Sequence, residues 1–236
     1  MNTSDDFLKL YNKEYHESHL NWAKKDNRIF KHYRKNYLEL VQIKKPIKIL
    51  EIGCSSGKTS LELAKAGASI IAVDFDKNAI DLARKYTQEN GLGNQVEFVN
   101  ISADDPSLME KTFDLVTMLD FVEHVPDRVL LNLIENLREK KFTGDICVYT
   151  PNKLHFTELL RECGILQQDP THINLKSFQQ WVDFFKNQNL EITFCKRTTS
   201  HWPVLKEIES IFKSIPYLGN LLTRSISLRC RVPKDR

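Results

Sequence analysis

The spacing of apolar and polar residues changes near position 46. Up to about residue 42, aromatic and aliphatic residues recur every three to four positions, which predicts helices over residues 4–42. From residue 47 onward, short runs that are apolar throughout alternate with stretches of helical spacing. Strands buried on both faces lack polar alternation, so this order predicts a doubly wound α/β fold, a parallel sheet with helices on both sides.

The pattern predicts the first and last residue of each strand and helix. The predicted strands are Ile47–Ile52, Ser69–Asp74, Val96–Val99, Phe113–Leu119, Gly144–Thr150 and Leu190–Lys196. The predicted helices are Lys58–Ala66, Asn78–Asn90, Asp127–Lys140, Ser177–Asn187 and an insert at about residues 204–223. The segment Ile226–Val232 alternates apolar and polar residues, which predicts a last strand at an edge of the sheet.

No internal repeat, low-complexity tract or linker divides the 236 residues, so we expect a single domain. Its expected parts are a helical cap at residues 1–45, a cofactor-binding core at 46–197, a helical insert at 198–225, and a last strand with a tail at 226–236.

Composition restricts partners and location. No apolar run approaches the ~20 residues of a membrane-spanning helix, and the polar N-terminus is unlike a secretory signal. The net charge of +3 is too small to indicate nucleic acid. Basic residues do cluster at 24–35, on either a solvated helix face or a site for an anionic partner. The five cysteines are scattered and form no C-x-x-C pair, which predicts a reducing, cytoplasmic location and neither a disulfide framework nor a zinc knuckle.

The strongest chemical signal is the loop after the first predicted strand. Residues 49–57 end a buried strand in Glu51 and open a helix after two glycines, a junction that holds nucleotide-like ligands in open α/β sheets. A dinucleotide site needs G-x-G-x-x-G, but Ser55 occupies the second glycine position. A P-loop needs G-x-x-x-x-G-K-[ST]. Gly57-Lys58-Thr59 supplies its end, but Gly53 is one residue too close.

A nucleoside that carries an amino acid instead of phosphates suits these residues better. Such a ligand needs carboxylates for its ribose hydroxyls and its ammonium group, and open backbone for its own carboxylate. Glu51 and Gly53 stand at the end of the first strand. Asp74 ends the second strand, about 20 residues further on, where an acidic residue accepts hydrogen bonds from ribose. Phe75 follows and is placed to cover an adenine. The alternative for Asp74 is to cap the next helix.

These residues carry a resemblance to a known family. Residues 49–57, followed by Ala72-Val73-Asp74-Phe75-Asp76, resemble the first two motifs of class I S-adenosylmethionine-dependent methyltransferases. Phe113-Asp114-Leu115-Val116 and the run at 119–127 are similar to the family's fourth-strand region. The likeness covers roughly residues 47–196, and an antiparallel last strand extends it to about 232. It implies a Rossmann-like, mostly parallel seven-stranded sheet and S-adenosylmethionine as cofactor.

The resemblance also implies which residues hold the cofactor. They are Glu51, Gly53, Cys54, Ser55, Gly57, Asp74, Phe75, Ser102, Ala103 and Leu119. The chain departs from the family pattern twice. Ser55 replaces a glycine, and Ser102-Ala103 replaces an Asp-Ala pair whose acid meets the adenine amine, so Asp104 is a substitute candidate. Cys54 is either a small loop filler, the favoured interpretation, or a nucleophile.

Asp120, Glu123 and His124 form a candidate reaction cluster after the fourth strand. On a helical turn, positions i, i+3 and i+4 share a face, so we expect the three side chains to converge. In one interpretation His124 takes a proton from an acceptor hydroxyl. In a second, all three residues hold a divalent metal, resembling the Glu-x-x-Glu-His cluster of quinone-biosynthesis O-methyltransferases (methyltransferase type 11–12 group) and of small-RNA 2′-O-methyltransferases. In a third they form a structural turn. His172 and Asn152 are further candidates beside the cluster, each with a structural alternative.

The sequence thus predicts an S-adenosylmethionine-dependent methyltransferase that acts on an oxygen of a small molecule, glycan or lipid precursor. Acceptor specificity is assigned to the insert and to N-terminal residues, namely Tyr11, Tyr15, His16, His19 and Trp22. An apolar stripe at 204–224 packs on the domain, lines a lipid-like pocket or rests on a membrane surface. The alternatives are a P-loop-like NTPase and a non-catalytic S-adenosylmethionine-binding protein.

Overall fold

A seven-stranded sheet forms the centre of the fold, in the order β3-β2-β1-β4-β5-β7-β6. In the computed structural model, residues 11, 14–18, 28–200, 202–212, 215 and 218–233 are described. The strands are β1 (Ile47–Ile52), β2 (Ala68–Asp74), β3 (Val96–Asn100), β4 (Leu115–Leu119), β5 (Asp145–Pro151), β6 (Glu191–Thr198) and β7 (Ser225–Arg231). β1 to β5 are parallel, and β7 is antiparallel to both β5 and β6. The expected Rossmann-like α/β fold is confirmed.

Helices cover both faces of this sheet. They are α1 (Arg28–Val41), α2 (Lys58–Lys65), α3 (Lys77–Glu89), α4 (Asp127–Glu139), α5 (Phe156–Glu162), α6 (Phe178–Asn187), α7 (Pro203–Phe212) and α8 (Leu218–Leu221). Short 3₁₀ turns lie at Gly93–Gln95, Pro106–Glu110 and Val122–His124. None of the described helices is both long and apolar enough to cross a bilayer.

Alternate residues of the central strands serve opposite cores. Leu50, Ile71 and Val116 belong to the core that α4 and α6 complete. Ile49, Ile70 and Leu115 belong to the core that α1, α2 and α3 complete. Because successive strand residues point to opposite faces, a strand covered on both sides must be apolar at every position. This explains the unbroken apolar runs and the accuracy of the predicted strand bounds.

The expectation that the last strand lies at an edge is wrong. β7 lies between β5 and β6, and its residues Ser225, Ile226 and Ser227 are all buried. The polar half of its alternation consists partly of serines, which are small enough to be enclosed. The edge strand is β6, whose side chains alternate between exposed and half-buried along most of its length.

Helix α5 was not predicted from the sequence. It begins after His155, whose Nδ1 accepts a hydrogen bond of 3.4 Å from the N–H of Thr157. A histidine is an uncommon N-cap, so the usual signal of Ser, Thr, Asp or Asn before an apolar run is missing here. Two predicted helices do carry that signal: Asp76 caps α3, and Ser177 forms a capping box with Gln180 at α6.

The N-terminal cap and the insert are only partly described. Residues 14–18 are helical and α1 follows, whereas most of the remaining predicted helix at 4–42, including His19 and Trp22, lies outside the described residues. The insert contains α7 and α8, with residues 213–214 and 216–217 outside the described part. The division into cap, core and insert stays a prediction.

Candidate active site

The predicted cofactor residues meet at one edge of the sheet. Glu51, Asp74 and Leu119 lie at or near the carboxyl ends of β1, β2 and β4, which are neighbouring strands. Ser102 and Ala103 follow β3, which pairs with β2. Carboxyl ends of adjacent parallel strands form the ligand crevice of an open α/β sheet. The fold therefore brings the predicted residues into one region.

The glycine loop turns sharply between β1 and α2. Gly53 and Gly57 have φ values of 74° and 72°, in the left-handed region that favours glycine. A methyl group on Gly53 would overlap the ring of Phe121, and one on Gly57 would lie 2.7 Å from Cβ of Ala83. Both positions therefore require glycine for space as well as for conformation. Ser55 is also left-handed, with φ 46°, and it takes the place of the second glycine of a dinucleotide loop.

Asp74 is oriented by the backbone on both sides. Its Oδ2 accepts a hydrogen bond of 2.8 Å from the N–H of Ser55, and its Oδ1 accepts one of 3.0 Å from the N–H of Asp76. Burial raises the pKa of Asp74, although these two hydrogen bonds oppose the shift. Asp76, not Asp74, caps α3, because its side chain accepts from the N–H of Asn78. Helix capping therefore does not account for Asp74.

Glu51 and Cys54 are buried beneath the loop. Ser60 of α2 donates a hydrogen bond to Glu51 Oε2. Burial, with a smaller contribution from the charge of Asp74, raises the pKa of Glu51 to about 7. Burial also raises the pKa of the Cys54 thiol well above its ordinary value. A reactive cysteine needs a lowered pKa, so Cys54 is unsuited to be a nucleophile and suits the role of a loop filler.

At the adenine end of the predicted site, the ring of Phe75 is partly exposed and the hydroxyl of Ser102 is hydrogen-bonded. Phe75 is 46% exposed, and its ring meets Tyr11 edge-on with centroids 5.7 Å apart. Ser102 donates a hydrogen bond of 2.6 Å to Asp104 Oδ1. Asn132 of α4 donates to the other oxygen of Asp104 at 3.2 Å. Asp104 is thus tied to both Ser102 and α4.

Residues before α1 lie over the loop. His16 is buried, with Nδ1 3.0 Å from Ser55 Oγ and Nε2 2.8 Å from Asp76 Oδ2. Tyr11 packs on Phe75, as described above, and its hydroxyl lies 3.1 Å from His124 Nδ1. Burial raises the pKa of Tyr11, so this phenol stays neutral. His16 was expected at the acceptor, but its contacts are with the predicted cofactor loop and the cap of α3.

Lys58 does not behave as a P-loop lysine. Its ammonium group lies 3.0 Å from the centroid of the Phe30 ring on α1, and the side chain is buried there. A P-loop lysine points along its loop toward the phosphates. The loop is also one residue short, so the NTPase alternative has neither the spacing nor the lysine placement that it needs.

Asp120, Glu123 and His124 do not lie on one helical turn, contrary to expectation. Only Val122–His124 form a turn, of 3₁₀ type, whereas Asp120 has a left-handed backbone with φ 51°. The N–H of Asp120 donates to Tyr149 O on β5 at 2.8 Å. Its carboxylate accepts a hydrogen bond from the hydroxyl of Tyr37 on α1. Burial raises the pKa of Asp120 to about 6.

Glu123 is a buried acid with one oxygen engaged. Thr150 of β5 donates to its Oε2 at 3.0 Å, while Oε1 has no hydrogen bond within the part of the chain that is described. Oε1 lies 3.9 Å from Nε2 of His124. Burial, together with the charge of Asp120, raises the pKa of Glu123 well above its usual range. Such a group either holds a proton or takes a cation as its partner.

The tautomer of His124 follows from its neighbours. Its Nδ1 lies 3.1 Å from the carbonyl oxygen of Thr171. Since a carbonyl only accepts, this contact is a hydrogen bond when Nδ1 carries the hydrogen; Nε2 of the neutral ring then carries the lone pair, and the Tyr11 hydroxyl, also 3.1 Å from Nδ1, is a second acceptor. A backbone carbonyl that orients the ring in this way is typical of a histidine that binds a metal or transfers a proton.

The residues that could hold a metal differ from the predicted set. Among the described residues, ligand atoms of Glu123, His124 and His172 lie within 4.8 Å of one another. Asp120 of the predicted set is replaced by His172, whose ring centroid is 5.0 Å from that of His124. His172 is not at a helix start, because α6 begins six residues later. A carboxylate with two imidazoles is a donor set that suits a first-row divalent metal.

Asn152, a candidate beside the reaction cluster, is bonded to the insert instead. It is fully buried, and its amide donates to the carbonyl groups of Asn220 and Thr223 at 2.8 and 2.9 Å. It therefore holds the end of the insert against β5. Sequence reasoning missed Tyr37, Thr150 and Thr171, the partners of the reaction cluster. No local motif marks them, because each partner is far from the cluster along the chain.

The site fits the cofactor that the resemblance implies. S-Adenosylmethionine carries a positive sulfonium and an ammonium group, and Glu51, Asp74 and Glu123 supply carboxylates around the crevice. The oxygen of Glu123 that lacks a hydrogen bond within the described structure is a buried acceptor available to a ligand. The loop at Gly53 and Gly57 has no side chains that would fill the space near the backbone.

Comparisons with known proteins agree with this geometry. Residues 49–140 match a family model described as a methyltransferase domain. The ubiquinone biosynthesis O-methyltransferase of Actinobacillus pleuropneumoniae serotype 5b is 32% identical over 83 residues, 34% of this chain and 36% of that protein. The mitochondrial ubiquinone biosynthesis O-methyltransferase of Schizosaccharomyces pombe is 37% identical over 94 residues, 39% of this chain and 34% of that protein. The match thus spans about a third of these relatives.

A solved structure extends the similarity to the whole fold. Magnesium protoporphyrin IX methyltransferase from Synechocystis PCC 6803, solved with bound SAH, superposes with a TM-score of 0.58 at 16% identity, over 99% of this chain and 89% of that one. At this identity the likeness concerns the fold alone. The matched domain and the sheet around it nevertheless agree with the motifs at 49–57 and 72–76. Residues 49–140 are therefore similar in sequence to a methyltransferase domain, and the whole chain shares its fold with a solved methyltransferase.

Proposed function

We propose that this protein transfers a methyl group from S-adenosylmethionine to an oxygen of a small-molecule acceptor. The observation that carries the proposal is Asp74. It stands at the end of β2 beside the glycine loop, and both of its oxygens are oriented by backbone N–H groups. A carboxylate fixed there suits the two ribose hydroxyls of a nucleoside.

S-Adenosylmethionine, when bound, supplies an electrophilic methyl group. In this proposal Asp74 accepts hydrogen bonds from ribose, while Glu51 and the backbone at Gly53 bind the amino-acid end. Phe75 covers the adenine, and Ser102 accompanies it at the rim. Cys54, Ser55, Gly57, Ala103 and Leu119 shape the walls. The chain contributes mainly by alignment, which can supply much of the acceleration of a transfer between two bound molecules.

His124 is the proposed proton acceptor. In this proposal its Nδ1–H donates to the carbonyl of Thr171, and Nε2 takes the proton of the acceptor hydroxyl. Glu123 lies beside Nε2 and stabilises the imidazolium that forms. Asp120 is a positioning residue, because its carboxylate is engaged by Tyr37.

A divalent cation at Glu123, His124 and His172 is the alternative to His124 as base, and the convergence of these three residues favours considering it. A metal would lower the pKa of an acceptor hydroxyl. Dialysis against a chelator distinguishes the metal mechanism from the mechanism with His124 as base. Unchanged transfer after dialysis excludes the metal, whereas loss of transfer with recovery on adding Mg²⁺ or Zn²⁺ supports it.

The acceptor proposed here is a small molecule with an apolar part, a lipid precursor in preference to a glycan. Ile211, Ile215 and Leu218 of the insert are exposed, which suits contact with an apolar group or a membrane surface. The names of the curated relatives, which are O-methyltransferases, support oxygen as the atom that receives the methyl group. A cytoplasmic location remains a prediction from the five free cysteines.

Calorimetry with S-adenosylhomocysteine, followed by transfer of labelled methyl from S-adenosylmethionine to a pool of phenolic and lipid-like acceptors, tests this function. We expect His124→Ala to bind S-adenosylhomocysteine like the parent but to lose transfer. Absence of binding in the parent contradicts the proposal. Binding without transfer to any acceptor would instead support a non-catalytic S-adenosylmethionine-binding protein.

A further inference from the structure

A cavity of about 220 Å³ lies between α5 and the start of the insert. Its lining combines apolar rings with two guanidinium groups. The residues that matter here are Phe156, Arg161, Leu166, Ser200, Trp202 and Arg224. The cavity is outside the predicted cofactor loop, and the proposed function leaves it without a ligand.

Arg224 brings a positive charge that the described residues do not neutralise directly. Its Nη1 donates a hydrogen bond of 3.1 Å to Thr157 Oγ1, and it is hydrogen-bonded to Tyr33. Throughout the described ranges, no carboxylate lies within ion-pairing distance of its guanidinium. The guanidinium stays charged at any physiological pH, so a half-buried group held only by hydroxyls attracts an anion.

The acidic groups near the cavity have other partners. Glu158 is paired with Arg161, which also donates from Nε to Gln167 O at 3.2 Å. Glu209 is buried and lies 3.5 Å from His155, while its other oxygen accepts from the N–H of Ser200. Glu158 is thus in direct contact with Arg161, whereas Glu158 and Asp120 interact with Arg224 only at longer range, so a ligand can still make a direct contact with Arg224.

The remaining walls suit a flat or apolar group. Phe156 forms one side, while Leu166 and Trp202, at 41% and 51% exposure, are open to solvent. The hydroxyl of Ser200 has no hydrogen bond within the described part of the protein, although the residue is buried. Rings, a hydroxyl without a described hydrogen bond and a guanidinium without a direct ion pair together describe a site for an aromatic or apolar body that carries an oxyanion.

The cavity adjoins the groups that would perform the reaction. The N–H of Asn152, at the end of β5, donates to Arg224 O at 3.0 Å, and Thr150 of the same strand holds Glu123. His172 is within electrostatic reach of both Arg161 and Arg224, and Asp120 is within reach of Arg224. A ligand anchored in the cavity therefore stands beside the Glu123–His124–His172 cluster.

We propose that this cavity anchors the methyl acceptor through an oxyanion, a carboxylate or a phosphate, with Arg224 as the main contact and Phe156 and Trp202 against an aromatic or apolar body. The inference rests on the proposed function and narrows its substrate class to anionic acceptors. Arg161 assists from the mouth, and the acceptor hydroxyl then extends toward His124.

Small probes test the anchor directly. Ligand-observed NMR in the presence of S-adenosylhomocysteine compares benzoate and phenyl phosphate with the neutral benzamide. A charge-assisted hydrogen bond to a partly buried arginine predicts that at least one anion binds about tenfold more tightly than benzamide. We expect Arg224→Gln to abolish that advantage and Arg161→Gln to reduce it. Arg84→Gln, on α3 at the opposite edge of the sheet, is the matched control and should retain it. The tighter of the two anions identifies the natural oxyanion.

The outcomes separate this inference from the proposed function. If S-adenosylhomocysteine binds but benzamide equals both anions, or if the anion advantage survives in Arg224→Gln, the anchor is wrong while the methyltransferase function stands. If S-adenosylhomocysteine fails to bind the parent, the proposed function itself is wrong. Should Arg224→Gln fail to fold, the affinities of the anions and of benzamide for the parent and for Arg161→Gln still test the anchor. An anion advantage in the parent that Arg161→Gln reduces supports it, and equal affinities in the parent contradict it.

Discussion

At the scale of single residues, the site depends on carboxylates whose surroundings control their charge. Asp74 has its two oxygens fixed by backbone N–H groups, and Glu51 is buried with one hydroxyl as partner. Asp74 is thus arranged to accept hydrogen bonds while ionised, whereas Glu51, with a pKa of about 7, exchanges its proton near neutral pH. Two acids on neighbouring strands therefore have different roles before any ligand is present.

Replacing Asp74 by alanine should weaken S-adenosylhomocysteine binding about tenfold or more, because two hydroxyl groups of the ligand lose a charged acceptor. Calorimetry measures the dissociation constant. Asp81→Ala is the control, since Asp81 lies on the exposed side of α3 and pairs with Lys77. Equal affinity of Asp74→Ala and the parent would show that the ribose is held elsewhere.

The raised pKa of Glu51 predicts that the stability of the protein depends on pH. Burial raises its pKa from 4.5 to about 7, so between these values the folded state binds more protons than the unfolded chain. The free energy of unfolding therefore falls as pH rises through this window, by about 3 kcal/mol for this group at most. Glu51→Gln should lose less stability than the parent between pH 5 and 7.5.

Urea unfolding of the ligand-free protein at both pH values measures this difference. Glu97→Gln is the control, because Glu97 is half exposed on β3 and pairs with Lys111. If the parent and Glu51→Gln lose the same stability between the two pH values, Glu51 is ionised in the folded protein throughout.

At the scale of elements, α1 is connected to the reaction cluster through the Tyr37–Asp120 hydrogen bond. Tyr37→Phe leaves a buried carboxylate without this donor, so we expect a loss of about 1–3 kcal/mol in the free energy of unfolding and a higher pKa of Asp120. Denaturant unfolding measures the loss, with Tyr86→Phe on α3 as control. In Tyr37→Phe/Asp120→Asn the two losses should not add, and full additivity would mean that the pair does not interact.

The elements also show what a sequence can and cannot predict. β1 to β5 were predicted within two residues of their bounds because strands covered on both faces have an apolar run as their signature. The position of β7 between β5 and β6 was not predicted, because strand pairing depends on contacts between residues far apart along the chain. The same holds inside the site: Asp74 follows from a strand end, but the orientation of Asp120 depends on Tyr37, 83 residues away. The anchor at Arg224 has no local motif at all.

At the scale of the whole molecule, exposed apolar residues are concentrated near the insert and the cavity mouth. Ile211 and Ile215 are 69% and 45% exposed, and Trp202 stands nearby in sequence. We predict that the protein sediments with vesicles of mixed neutral and anionic lipids, because apolar side chains beside a lipid-like acceptor pocket gain by partial insertion. Ile211→Ser/Ile215→Ser should sediment less.

Leu131→Ser is the control for this measurement, since Leu131 is an exposed apolar residue on α4. If the parent stays in the supernatant with every vesicle composition, the insert has no membrane role, and its apolar surface is reserved for the acceptor.

The position of β7 has a consequence for how the chain reaches its native state. Among the strands that the structure describes, β6 pairs with β7 and not with β5. During synthesis, β5 therefore has an unpaired edge until residues 225–231 have emerged from the ribosome. β6 cannot pair with the sheet before that point either. Such long-range pairing is slow and leaves a strand edge unprotected. β7 therefore links β6 to the rest of the sheet, and losing β7 would detach two strands instead of one.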